Sequence, residues 1–207
     1  MTASIQVGDR VKFTNNSTTF YGIVTAIASG TITIYGGTQY TVANSAITNP
    51  YFSHSKNPFG FNSRPDYWTE VVTDSSQQSQ SSPGSGTWYN IGTISIAVPI
   101  GAWRLYWSAL CQIINGAVGA TNLFTGTLST ANNSQSDSDL SAGVSQSGAT
   151  APSSIDVRSN LSKEKTIVVA SKTSYYLNGQ SNGAGDSSIQ FRGDFVPTKI
   201  YAICAYL

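Results

Sequence analysis

Gly101-Ala-Trp-Arg-Leu-Tyr-Trp-Ser-Ala-Leu-Cys-Gln-Ile-Ile114 is the longest strand-like run in the chain. Read with period two, it puts Trp103, Leu105, Trp107, Ala109, Cys111 and Ile113 on one face, while Tyr106, Leu110 and Ile114 punctuate the other. A face so uniformly apolar needs a second layer to cover it.

Shorter signals of the same kind flank this run. Ile94, Ile96 and Val98 alternate with Thr93, Ser95 and Ala97, and further strands are expected over 122–129, 140–146, 154–161, 165–170, 174–179, 187–195 and 199–207. Gly-, Ser- and Asn-rich turns separate them. About nine short strands in roughly 120 residues predict a two-sheet β-sandwich or jelly roll. Toward the N-terminus, Val7–Phe13, Phe20–Ile27, Thr31–Tyr35 and Gln39–Ala43 read as four strands joined by tight turns, a small antiparallel barrel-like unit. Its opening Val7-Gly-Asp-Arg-Val11 resembles the first strand of Src-homology-type small barrels. Between Asn49 and Val72, three prolines and six aromatics predict an irregular excursion that packs rings back on that unit. Residues 73–86, Thr-Asp-Ser-Ser-Gln-Gln-Ser-Gln-Ser-Ser-Pro-Gly-Ser-Gly, hold no large apolar side chain and read as a linker. The expected organisation is thus all-β: a domain over 1–72, a linker over 73–86 and a sandwich head over 87–207.

The composition excludes several classes. Charged residues make up 10% of the 207 and the net charge is +1, so Ser, Thr, Asn, Gln and Gly must solubilise the surface. No basic stripe exists to neutralise phosphates, which argues against nucleic acid as a partner. No stretch approaches a membrane span, and Met1–Arg10 has neither a charged n-region nor an apolar h-region, so cytoplasmic synthesis without a signal peptide is expected. Cys111 and Cys204 lie inside apolar runs and are expected to be buried free thiols; a disulfide between paired strands is the alternative, which cytoplasmic synthesis disfavours.

Catalytic chemistry is not expected. His54, the sole histidine, lies between Ser53 and Ser55, which cannot stand in for a triad drawn from separate segments. One histidine and two strand cysteines exclude the usual zinc spacings. Asp137 and Asp139 lie in a polar stretch able to offer oxygen ligands to calcium, without the rest of an EF-hand loop; a solvated loop is the alternative. Arg192 and Asp194 read as an ion pair, and Gly183-Ala-Gly185 as a turn. Trp88, Tyr89, Trp103, Tyr106 and Trp107 leave open a sugar platform beside the simpler reading of core packing. Tyr175 and Tyr176 must point to opposite faces.

Thr41-Val-Ala-Asn-Ser-Ala-Ile-Thr-Asn-Pro-Tyr-Phe-Ser53, Pro58-Phe-Gly-Phe61, Trp88-Tyr-Asn-Ile-Gly92, Leu128-Ser-Thr-Ala-Asn-Asn-Ser134, Lys172-Thr-Ser-Tyr-Tyr-Leu-Asn178, Phe191-Arg-Gly-Asp194 and Ile203-Cys-Ala-Tyr-Leu207 together resemble structural proteins of tailed bacteriophages. That resemblance covers both halves of the chain and implies a virion protein of tail-fibre, receptor-binding or head-fibre type, with no catalytic residue and no cofactor. It leads to the expectation of a homotrimer held to other virion proteins by residues 1–72, with the head contacting host cell-surface carbohydrate. A capsid decoration or head-fibre protein without a specific receptor is the alternative; a polysaccharide depolymerase lacks an evident acid pair. Arg104, Tyr106, Tyr176, Asn178 and Asp186 are the candidate exposed contacts. In the last run, Ile200, Ala202, Cys204 and Tyr206 share a core face, which leaves Tyr201, Ile203, Ala205 and Leu207 as the candidate oligomer interface.

Overall fold

The structure, a computed structural model, describes residues 5–37, 41–55, 60, 68–115, 122–146, 155–183 and 185–206. Arg10–Asn15 (β1), Thr18–Ala28 (β2), Thr31–Tyr35 (β3) and Ile47–Ser53 (β4) form an antiparallel sheet in the order β3-β2-β1-β4. Asn16 and Ser17 turn β1 into β2 with positive φ at both positions, the combination that matches the twist of a two-residue hairpin. The expected strand over Gln39–Ala43 falls partly outside the described residues; Thr41–Ala43 is not strand, and Ile47–Ser53 takes the place beside β1. The sequence read these residues as irregular because of the prolines and aromatics between Asn49 and Val72, of which Pro50 falls in this strand. That proline is accommodated at a bulge between Thr48 and Tyr51, where Asn49 has φ 49° and the register against β1 shifts, on a strand with only one neighbour. Among the described residues β3 and β4 do not pair, so this is an open sheet and not a closed barrel.

The remaining strands are Thr69–Asp74 (β5), Gln77–Ser81 (β6), Trp88–Tyr89 (β7), Ser95–Val98 (β8), Gly101–Asn115 (β9), Asn122–Ser129 (β10), Ser141–Gln146 (β11), Ile155–Val169 (β12), Thr173–Ser181 (β13), Asp186–Arg192 (β14) and Thr198–Cys204 (β15). β9 and β12, 15 residues each, pair along their whole length. On its other side β9 meets β15 along its first half and β14 along its second. These two are therefore one row with an excursion over residues 193–197. β5 lies beside β15 and β6 beside β14, so they too form a single interrupted row. β8 and β7 likewise share the free side of β13.

Numbering rows along the chain as β5/β6, β7/β8, β9, β10, β11, β12, β13 and β14/β15 turns the pairings into two four-row sheets, 1-8-3-6 and 2-7-4-5. That is the jelly-roll order. The alternation in Gly101–Ile114 is what holds the two sheets together: Trp103, Leu105, Trp107, Ala109, Cys111 and Ile113 are all buried, against Phe124, Leu128, Leu140 and Leu177 from the opposite layer.

The expected linker is the point of correction. Residues 73 and 74 end β5, and Gln77–Ser81 is β6, the outer row of the first sheet. An edge row bonded on one side needs no large apolar residue, because its hydrogen bonds come from the neighbouring backbone and the adjacent Ile189 and Phe191 fill the core. The jelly roll thus includes β5, and the boundary lies before residue 69. Three expected strands also resolve differently: 154–161 and 165–170 merge into one strand, β12, and 187–195 stops at Arg192.

Among the described residues the two halves touch directly. Tyr35 of β3 sets its ring edge-on to Trp103, 4.9 Å between centroids, and its hydroxyl donates to Glu70 Oε1 at 2.6 Å. The Arg10 guanidinium, buried, donates to the carbonyl of Tyr206 at 3.0 Å. Gly101 has φ 126°, and a Cβ there would come within 2.8 Å of Thr25 Cβ, so only glycine lets β9 start this close to β2. The open sheet therefore docks on the end of the jelly roll where β9 begins and β15 ends. Residues 82–87, 182 and 183 lie at the opposite end.

Candidate functional site

The outward alternation of β9 and its neighbours builds one surface. β15 places Tyr201 opposite Tyr106, their rings 6.0 Å apart, and Ile203 opposite Arg104. β12 places Glu164 opposite Tyr106 and Thr166 opposite Arg104; Arg104 Nε lies 3.7 Å from Glu164 Oε1. Val71 of β5 extends the row beyond Tyr201. A cavity of about 260 Å³ opens between Arg104, Thr166, Ile203, Cys204 and Ala205. Farther along, Phe195 stands on the excursion between β14 and β15, its ring 4.2 Å from the Arg192 guanidinium and 5.3 Å from that of Arg158. Arg192 is held by both oxygens of Asp194, as the sequence spacing indicated.

Exposed large apolar side chains are segregated. Those described are Val71, Val168, Phe195 and Val196, on the first sheet and its excursion, and Val7, Ile27, Ile47 and Tyr51, on the N-terminal sheet. The latter sheet also carries an apolar groove of about 310 Å³ between Val11, Phe13, Ile32, Ile34, Ile47 and Phe52. Singly exposed apolar residues are ordinary on a protein surface; here those described fall on these two surfaces. Val71, Val168, Phe195 and Val196 escaped the sequence reading because alternation identifies a strand's faces without saying whether an outward face is covered.

The sequence-derived candidates divide among these surfaces. Ile200, Ala202 and Cys204 are buried, and Tyr201, Ile203 and Ala205 lie outward with Arg104 and Tyr106; Leu207 is outside the described residues. β15 ends at Cys204 and does not continue to 207 as expected. Tyr176 is on the outer face of the other sheet and Tyr175 points inward. Asn178 is fully buried, contrary to its expected exposure: the loop after β10 folds over it, and its Nδ2 donates to the carbonyls of Ala131 and Ser134 at 3.1 and 2.7 Å. Asp186 is also buried, because its Oδ2 accepts from Ser181 Oγ across the turn from β13 to β14. The five candidate contacts therefore do not form one site.

Two polar groups behave unlike a metal centre. Lys165 Nζ donates to Asp137 Oδ2 at 2.6 Å and Asp139 Oδ2 at 2.9 Å, which uses the carboxylates that calcium would need. That hydrogen bond holds Asp137 below its usual carboxylate pKa. His54 Nδ1 sits 2.7 Å from Asp9 Oδ1 at the rim of the N-terminal sheet. Among the described residues no group of three metal-ligating side chains exists, and no helix is long and apolar enough to cross a membrane. Both thiols are free and buried, and burial raises the pKa of each.

Burial also pushes the Asp186 pKa up, and Oδ1 meets no partner. Its proton is held more tightly in the folded than in the unfolded chain. The stability this contributes is fully present below the unfolded carboxylate value, about 3.9, and is lost as pH rises through the folded one. Asp186→Asn is therefore expected to raise stability at pH 7 by about 1 kcal/mol and to leave it unchanged at pH 3. Urea midpoints at the two pH values check this; an equal gain at both would refute it.

No family model matches the chain, and no curated protein does. Similar solved structures are those of infectious bursal disease virus particles. A VP2 subviral particle is 13% identical over 88% of this chain and 43% of that one, with a TM-score of 0.31. A T=1 particle is 12% identical over 95% and 59%, at 0.26. The Gx strain is 10% identical over 91% and 47%, at 0.25. The chain spans about half the length of these structures, and scores this low transfer neither fold nor function.

Proposed function

We propose that the chain is a non-enzymatic virion structural protein that trimerises through the outer face of the first sheet. The N-terminal sheet attaches it to other virion proteins, and the jelly roll meets neutral glycan on the host surface, as in a tail fibre or receptor-binding adhesin. The observation that carries this is the segregation of exposed apolar side chains onto two separate surfaces, one for self-association and one for attachment. The first surface mixes Val71, Tyr106, Tyr201 and Ile203 with charges of both signs, Arg104 and Glu164, so copies of it can face one another without like-charge repulsion. The likeness of several sequence stretches to tailed-bacteriophage structural proteins supports the virion setting.

The docking of the two halves favours a second reading, a capsid decoration or head-fibre protein, since residues 73–81 are built into the sheet and give the head no flexible reach. Light scattering on the full chain tests the shared core of both readings. A trimer is expected, and Tyr201→Glu with Ile203→Asp is expected to yield a monomer whose circular dichroism is unchanged. A monomeric native chain at micromolar concentration would overturn the proposal. Immunogold labelling of virions then separates tail from shell.

A further inference from the structure

We infer that the outer face of the second sheet holds a shelf for a neutral pyranose, centred on Trp88. This deepens the host-glycan reading and rests on it. The strands of that sheet, β7, β8, β10, β11 and β13, contain no Asp, Glu, Lys or Arg. The charged strand residues of the jelly roll are all in the other sheet. An anionic sugar placed on β7, β10 and β13 would lose water and gain no counter-charge from them, whereas hydroxyls and amides suit an uncharged one.

Across this face the register sets Trp88 opposite Gln180, Gln180 opposite Thr125 and Thr125 opposite Gly143. Trp88 is half-buried, while Trp68, Trp103 and Trp107 are 2%, 0% and 0% exposed. Gln180 Nε2 donates to the carbonyl of Gly86, which fixes the amide and leaves its oxygen as an acceptor beside the indole. Thr125 Oγ1 lies 3.4 Å from where a Cβ on Gly143 would be, so the missing side chain leaves the floor open next to a hydroxyl. A pyranose stacked by its C–H face on the indole would carry its rim hydroxyls toward Gln180 and Thr125. The shelf is on the sheet opposite the proposed assembly face and remains exposed in a trimer.

Because the other three tryptophans are buried, ligand-induced change in tryptophan emission reports Trp88. The full chain is titrated, by calorimetry and emission, with tetrasaccharides of glucose, galactose, mannose, rhamnose and N-acetylglucosamine, and with tetragalacturonate. At least one neutral tetrasaccharide is expected to bind and shift the emission, tetragalacturonate to do neither. Trp88→Ala is expected to weaken binding at least about tenfold. Thr125→Val is expected to weaken it several-fold, with the melting temperature and oligomer mass of both variants unchanged. Binding that survives Trp88→Ala sinks the shelf and leaves the glycan reading standing. Absence of binding by every neutral tetrasaccharide, while the native chain still labels host cells, sinks the neutral-sugar assignment. If host cells are not labelled either, the glycan reading falls with it.

Discussion

Trp107→Ala is expected to destabilise the fold by about 3–5 kcal/mol, the range for deleting a buried aromatic. The ring is fully buried between the sheets and lies so close to Gly126 that a Cβ there would be 2.7 Å from Trp107 Cη2. Neighbouring backbone cannot collapse into the space, because β9 is bonded to β12 on one side and to β14 and β15 on the other. The substitution also strips the indole donor from the carbonyl of Leu140, 2.8 Å away, at the turn that leads into β11. A bonded carbonyl left bare in the interior adds its own cost. Equilibrium denaturation should show the loss, with a fall in melting temperature on the order of 10 °C. A change below about 1 kcal/mol would mean that the ring is not the fill between the layers.

Gly193→Val is expected to have a comparable effect for a different reason. A Cβ at Gly193 would stand 2.5 Å from the carbonyl oxygens of both Asp74 and Ser76, and 3.1 Å from the amide of Ser76. These are backbone atoms, so no rotamer change relieves the clash. Rows 1 and 8 are interrupted at the same level, β5 from β6 and β15 from β14, and Gly193 lets the two interruptions nest. Forcing them apart strains the ladders from Thr73 to Lys199 and from Gln77 to Arg192 together. A loss of about 3 kcal/mol is expected, at the upper end for an overpacked site. Amide exchange should show the loss of protection concentrated in β5, β6, β14 and β15. Uniform protection with native stability would refute the nesting.

The core was legible because it follows alternation. Period two along Gly101–Ile114 separates the buried Trp103 and Trp107 from the outward Tyr106 without any knowledge of partners, and the same logic sorts Ile200, Ala202 and Cys204 from Tyr201 and Ile203. The first row was not legible, because a strand's defining interactions are backbone hydrogen bonds that composition does not record. Gln77–Ser81 pairs with β14 over a hundred residues away, and nothing local announces it. Pro50 misled for the opposite reason: a strong local signal was overruled by a bulge on an edge. Among the candidate contacts, Asn178 and Asp186 failed because a polar side chain was read as a surface one. Both are instead buried and hydrogen-bonded through one atom each, Asn178 Nδ2 to the carbonyls of Ala131 and Ser134 and Asp186 Oδ2 to Ser181, while the Oδ1 of each has no partner.

The pairing of row 1 with row 8 also sets an order of events at the ribosome. Ser81 must wait for Ser188, and Asp74 for Thr198, so at roughly 5–20 residues per second the first row emerges about 5–25 s ahead of its partner. Non-local closure of this kind slows folding and leaves an unpaired edge exposed to other nascent chains. A segment of valine and isoleucine would aggregate during that interval. Ser-Gln-Gln-Ser-Gln-Ser-Ser, residues 76–82, stays soluble while it waits, and the composition that disguised the strand as a linker protects the polypeptide before it has folded.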